Sequence, residues 1–414
     1  MNILLKLKDI RNFTPDVSFM EEQEEGTEFS YEADPKEEIL NFNGKFIQPK
    51  YANPEENDER FSAFLDGSYR IAKMGYISFV PIYIASISGA VLRREGRRLY
   101  DTGILKNFIA IICPFESLKK YHDKYGDKRI SEDIEEFLNS TNDDKNTIQD
   151  YELEGKKEDT CSILDKFDNA TVSVIADISY RGVRGGSERP LQIPPENIHD
   201  IGAIYRKARA RARVLMSILE ISYLKKYRDK YGMDDWVLVD GTLNYAHKFF
   251  LATTKQHEAL KRYFKKTVGF IKTIRRRVFD KNPDKLAELF SMKENQYIVS
   301  LADKTDTEKE VEEEIGESEV EGEMKWGFIY LRFRMPKYLS ITNKGLVKLQ
   351  FIPEGEQKET LEKARKIANM ISFERFPVPS DRRRIWNEAV AIEETEKVAK
   401  SRLHSMLFLQ TAGL

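Results

Sequence analysis

Cysteine is scarce. The 414-residue chain holds two, Cys113 and Cys161, with no CxxC pair and no zinc-ligand spacing. A disulfide-stapled scaffold and a zinc module are therefore excluded, and a reducing compartment is the expected setting. Histidine is also rare: the five residues His122, His199, His247, His257 and His404 show no metal-ligand spacing. His247 and His257 lie nearest the motifs described below and read as solvated or structural. Charge of one sign is not in excess, since 67 basic and 69 acidic residues leave a net charge of −2. Any nucleic-acid contact must therefore come from local clusters of charge. Long hydrophobic runs are missing too. Met1–Asp9 has only Ile3–Leu5 as a continuous apolar stretch, with lysines on both sides of Leu7, so no secretory segment fits. Tyr76–Leu92 is free of charge, but Pro81, Gly89, the serines and the β-branched residues read as one or two buried strands rather than a membrane span. The expected location is cytoplasmic, with no membrane partner.

What is present is a chain with 41% hydrophobic residues, enough for a sizeable core, and 33% charged residues, which implies a heavily solvated surface. Residues 1–60 are acidic and irregular and read as a variable N-terminal extension with one helix. From residue 61 to 408 the pattern is that of a single domain carrying insertions at about 115–165 and 305–323, the second rich in glutamate. Phe61–Leu65, Tyr76–Leu92 and Ile104–Cys113 predict an antiparallel three-stranded start to a sheet. Ala170–Tyr180 predicts a strand, and about Asn197–Lys230 a long helix without internal proline. Short strands at Trp236–Val239, Val268–Lys272, Trp326–Met335 and Leu346–Ile352 follow, then helices at about Gln357–Ser372 and Ile385–Phe408. Alternating helix and strand after an all-strand start gives an α/β fold with a mixed sheet flanked by helices.

The dipeptide Asp-Gly occurs twice, each time after an apolar run and before a hydroxyl residue: Phe64-Leu65-Asp66-Gly67-Ser68 and Leu238-Val239-Asp240-Gly241-Thr242. Asp-Gly is ordinary turn chemistry. Two copies at the exits of buried strands also suit carboxylates that hold hard divalent ions such as Mg²⁺ or Mn²⁺, which prefer carboxylate oxygen. A pair of such ions would supply the nucleophilic water and stabilise the leaving oxygen in phosphodiester cleavage. A third ligand is expected from the helix between them. Glu220, set among apolar residues in Met216–Ile221, is costly to bury unless it is paired or metal-bound; Arg213 or Lys225 could also serve it as a helix partner. Val237–Leu243 resembles the first motif of haloacid dehalogenase-type phosphatases. Leu238, however, stands where that family has its nucleophilic aspartate, which excludes phosphoaspartate chemistry.

Basic residues cluster around these carboxylates in sequence: Arg206, Lys207, Arg209, Arg211 and Arg213; Lys261, Arg262, Lys265 and Lys266; Arg275, Arg276 and Arg277; Arg382, Arg383 and Arg384. Each run could be a solvated helix face, or together they could neutralise phosphates along a DNA channel. Lys272 could place its charge on the scissile phosphate.

Five segments in order resemble the NurA nuclease family: Phe64–Ser68, Leu238–Leu243, Val268–Thr273, Phe328–Arg332 and Phe376–Pro379. The resemblance runs from about residue 61 to 405. It implies a ribonuclease H-like fold, a homodimer, and Mn²⁺- or Mg²⁺-dependent DNA cleavage in end resection together with a HerA-type hexameric translocase. It also makes Asp66, Glu220 and Asp240 metal ligands and Tyr330 an active-site tyrosine. The family's histidine after the Pro-rich segment has no counterpart in Ser380–Ala389; Asn387, Glu388 or Asp381 could offer oxygen instead. That departure leaves open a non-catalytic, DNA-guiding subunit of a translocase complex.

Overall fold

A computed structural model of the chain describes residues 13–15, 45–53, 59–77, 79–104, 107–125, 147–149, 171–178, 193–243, 261–272, 283–301, 326–333, 345–375 and 389–404. Asn387, Arg275, Arg276, Arg383 and the acidic stretch 305–323 lie outside them.

The strands are β1 (Phe13–Pro15), β2 (Lys45–Tyr51), β3 (Phe61–Ile77), β4 (Val80–Glu95), β5 (Arg98–Asp101), β6 (Asn107–Cys113), β7 (Thr147–Gln149), β8 (Thr171–Asp177), β9 (Trp236–Asp240), β10 (Thr267–Ile271), β11 (Gln296–Leu301), β12 (Gly327–Arg332) and β13 (Leu346–Phe351). The principal helices are α1 (Phe115–Tyr125), α2 (Ile201–Tyr231), α3 (Pro283–Ser291), α4 (Gln357–Glu374) and α5 (Val390–Ser401). The thirteen strands of the described residues join one mixed sheet in the order β2-β11-β12-β13-β10-β9-β3-β4-β6-β8-β7, with β1 added to β3 and β5 to β4. The α/β class and the antiparallel β3-β4-β6 start agree with the sequence reading. The segment read as an irregular extension contributes two strands, β1 and β2.

The two largest hydrophobic cores of the described residues lie on opposite faces of this sheet. One packs Leu65, Ile87, Val91, Val237 and Val239 against Ile204, Leu215, Ile218 and Leu219 of α2. The other packs Phe64, Leu238, Val268 and Phe270 against Ile367, Ile371 and Ile392 of α4 and α5. The assignment follows the period of two along a strand, which sends Phe64 and Leu65 to opposite faces. Because both faces are covered, Val80–Leu92 of β4 is buried throughout, and this explains its lack of charge. No described helix is long and apolar enough to cross a membrane.

Helix α2 spans 31 residues, capped by Asp200, whose side chain accepts from Ala203 N at 2.8 Å. At its other end Arg228, 2% exposed, ties the helix to the sheet. Its guanidinium donates to the carbonyls of Asp235 (2.5 Å) and Lys266 (3.0 Å) and to Thr267 Oγ1 (3.1 Å), which fixes the starts of β9 and β10. Replacing Arg228 with Met strands those carbonyls. We expect a loss of roughly 2–4 kcal/mol in urea unfolding with an unchanged slope. A loss below about 0.5 kcal/mol, the size of an ordinary surface change, would rule out this anchoring role.

Candidate metal centre

β3 and β9 run parallel, with Leu65 beside Val239. The next residue on each strand is an aspartate, and in-register parallel neighbours point to the same face. Asp66 and Asp240 therefore stand side by side, although they are far apart in the chain. β10 continues the array on the other side of β9, pairing Phe270 with Asp240, so that Lys272, two residues on, returns to the same face. Its Nζ donates to Asp240 Oδ2 at 2.8 Å.

The third carboxylate comes from α5. This helix lays Ala391, Ile392, Thr395 and Ala399 against the sheet, and all but Ile392 are small enough to allow a close approach. Its last turn is held by side chains of the β3–β4 ribbon and its neighbours. Ser88 Oγ donates to Ala399 O (2.6 Å), Asn107 Nδ2 to Arg402 O (3.3 Å), and Arg402 reaches Gly89 O (2.6 Å) and the carboxylate of Asp101. The helix end is thus fixed where water would otherwise satisfy its carbonyls. Glu396 is thereby brought to the two aspartates. Carboxylate oxygens of Asp66, Asp240 and Glu396 all lie within 4.8 Å of one another. Glu396 also pairs with Lys400 at 3.0 Å and Lys272 at 3.6 Å.

Glu220 approaches from α2, on the opposite face. Gly67 makes this possible, because a Cβ there would lie 2.7 Å from Glu220 Oε1 and 2.8 Å from Met216 Cγ. Through that gap Glu220 Oε1 accepts the Gly67 N–H at 3.0 Å. Gly67 is thus no turn residue. β3 runs straight through Asp66-Gly67-Ser68 as one strand of 17 residues, which corrects the expectation of a corner at Asp66. The corner at Asp240 is real: Gly241 has φ +89°, a left-handed conformation that favours glycine. Gln350 Oε1 holds that corner by accepting from Thr242 Oγ1 (2.7 Å) and Leu243 N (3.0 Å).

The electrostatics are those of anions crowded out of water. Burial pushes Asp66 well above the usual carboxylate range, and the charges of Asp240 and Glu220 add to it. Burial also raises Asp240, while Lys272 pulls it back down. Glu220 is raised to about 8 by burial and by Asp240, against the Gly67 hydrogen bond. Burial alone would lower Lys272, but Asp240 and Glu396 reverse that and hold its ammonium charged. Asp66 is 4% exposed, and its Oδ2 has no hydrogen-bond partner. A buried carboxylate with an unpartnered oxygen, grouped with two more carboxylates, fits a hard divalent cation, which would satisfy that oxygen.

Of the residues singled out from sequence, Asp66, Asp240, Glu220 and Lys272 converge. Tyr330 does not join them. Ile329 and Leu331 occupy the α4–α5 face, so alternation turns Tyr330 to the other face, where it packs with Leu289, Met292, Ile298 and Leu346. Sequence reasoning missed Glu396. Arg206, Arg213 and Glu220 recur every seven residues, close to two helical turns, and so share a stripe of α2 with Arg206 about 21 Å from Glu220. Arg206 and Lys265 are exposed and Arg209 and Arg213 half-buried. Arg211 leaves the solvent face: it is fully buried, which draws its guanidinium down to about 9. The chain matches no protein-family model and no curated protein.

Two outcomes follow. Gly67→Ala forces Glu220 and Met216 aside and should cost about 1–3 kcal/mol in thermal unfolding, as overpacking does; an unchanged stability would show that the gap is not needed. The second concerns pH. A carboxyl whose folded pKa is raised favours the folded state while it is protonated. For Glu220 this contribution is present below its usual 4.5 and is lost as pH rises towards about 8. The metal-free protein should therefore melt lower at pH 8 than at pH 5, with a slope of at most about 1.4 kcal/mol per pH unit for each proton released. Glu220→Gln should flatten that dependence, and Mn²⁺ should stabilise more at pH 8 than at pH 5. Equal melting temperatures of wild type at the two pH values would contradict the raised pKa.

Proposed function

We propose that the chain is a divalent-metal-dependent deoxyribonuclease, hydrolysing phosphodiester bonds at the Asp66–Asp240–Glu396 cluster. The observation that carries this reading is the convergence of three carboxylates from separate elements, one of which, Asp66, is buried with an oxygen, Oδ2, that has no hydrogen-bond partner. Such a cluster is expensive for a merely structural purpose. Asp66, Asp240 and Glu396 would hold Mn²⁺ or Mg²⁺. When bound, the metal supplies Lewis-acid stabilisation of phosphate charge and an activated water. Lys272 has an ammonium fixed by Asp240 at the edge of the cluster, where it can meet a phosphate oxygen. Gly67 and Glu220 brace Asp66 from behind, and Gln350 braces the Asp240 corner.

The mixed sheet with a central long hairpin, together with the NurA-like motifs, supports a ribonuclease H-like core. A role in DNA end resection, as a homodimer beside a HerA-type hexameric translocase, rests on that resemblance.

The test is cleavage of labelled single-stranded DNA with Mn²⁺. Asp66→Asn, Asp240→Asn and Glu396→Gln should each lose more than about 100-fold in rate, beyond the usual effect of removing a residue that only supports a ligand. Tyr330→Phe should stay within about two-fold of wild type, a change below 0.5 kcal/mol. Equal rates for the carboxylate variants and the parent would sink the assignment. No cleavage by the parent, with DNA binding intact, would favour the DNA-guiding subunit.

A further inference from the structure

We infer that Lys272 takes the place of a second metal ion, so that the centre binds one divalent cation per chain. This rests on the metal-centre reading above and narrows the pair of ions expected from phosphodiester chemistry.

The argument is how the oxygens of the cluster are shared out. Asp240 Oδ2 is bound by Lys272 Nζ at 2.8 Å. Glu396 is flanked by two ammonium groups, Lys400 at Oε1 (3.0 Å) and Lys272 at Oε2 (3.6 Å). Lys272 therefore bridges two of the three carboxylates from one side. The third, Asp66, is the most deeply buried, and its Oδ2 has no hydrogen-bond partner. Lysine ammonium groups thus touch Asp240 and Glu396, whereas Lys272 acts on Asp66 only through its charge at a distance. An ion seated on Asp66 completes the set, with Asp240 and Glu396 sharing their oxygens between that ion and the two lysines. A second ion between Asp240 and Glu396 would have to displace the Lys272 ammonium. That group is half-buried, and its carboxylate partners keep it charged. The ammonium and a second ion would compete for the same oxygens.

Lys272 also lies where this arrangement needs it. It is two residues beyond the Phe270–Asp240 register position, so alternation in β10 aims it at the cluster. Glu220 lies outside the group of three carboxylates and gives its Oε1 to the Gly67 N–H.

The experiment is electron paramagnetic resonance of the full-length protein titrated with Mn²⁺ alone. Two adjacent Mn²⁺ ions give a spin-coupled spectrum, whereas one ion gives an uncoupled one. Wild type should give the uncoupled signal and saturate with one bound ion. Lys272→Met and Lys272→Gln remove the charge, keep much of the side chain and vacate the shared oxygens of Asp240 and Glu396. Either variant, once its melting transition shows it to be folded, should take a second ion and develop the coupled signal. A coupled pair on wild type overturns the inference while leaving the metal centre itself intact. So does a single uncoupled ion on both folded lysine variants. Absence of any Mn²⁺ that Asp66→Asn abolishes overturns the metal-centre reading as well.

Discussion

The parallel pairing of β3 with β9 is the constraint on which the rest depends. Its register sets Leu65 beside Val239, so the aspartate that follows each one emerges on the same face of the sheet. A shift of one residue in either strand would send one carboxylate to the α2 side and the other to the α5 side, because side-chain direction reverses at every step. The register is itself enforced by burial. Phe64 and Leu238 belong to one core, Leu65 and Val239 to the other, and a slip would exchange both pairs. Two hydrophobic cores thus fix the relative position of two charges that neither core contains.

Placing acids there has a cost that the fold meets in different ways on the two faces. On the α5 face, Lys272 and Lys400 bring positive charge to Asp240 and Glu396. On the α2 face, Glu220 gains one backbone N–H, made reachable by a strand residue without a side chain. Asp66, between them, gains neither at its Oδ2. The imbalance is local and directional. A residue placed for stability alone would be paired as its neighbours are, whereas a ligand for an external cation is left wanting one.

The sequence made much of this legible, for physical reasons that also explain the failures. β9 was readable because a short apolar run ends in Asp240-Gly241, and Gly241 does turn with positive φ. The same pattern at Asp66-Gly67 misled: an Asp-Gly pair specifies a turn only where the backbone needs one, and here glycine serves close approach inside a strand. Glu220 stood out because it is an acid inside an apolar stretch. Glu396 did not, because Glu393-Glu394-Thr395-Glu396-Lys397 reads as a solvated helix surface with i,i+4 pairs, which Glu393–Lys397 and Glu396–Lys400 indeed form. The available signal was the stripe Ala391, Ile392, Thr395, Ala399, which Glu396 borders. Which strand that stripe would meet is a tertiary fact. Tyr330 failed for the complementary reason. Alternation within β12 is visible in sequence, but which of the two alternating sets faces the carboxylates is decided by register across three strand pairs.

The wide separation of the three carboxylates in the chain has a consequence for folding. Residues 66, 240 and 396 meet only after β3, β9 and α5 have assembled, so a cation shared by all three binds the complete fold and none of its parts. Its binding energy then adds to the stability of the whole arrangement by linkage. The element most dependent on it is α5, which has 12 residues and a narrow buried stripe of small side chains. Such a stripe removes little apolar surface from water, so α5 is held largely by the polar contacts of its last turn and by Glu396 at its middle. Without a metal, Glu396 meets two other acids and two lysines, attractions and repulsions together. A cation shifts that balance decisively towards docking, because it turns the repulsion among Asp66, Asp240 and Glu396 into three attractions to one centre. On the proposed reading, the last helix is the part of the fold where completing the metal centre and completing the structure would be one event.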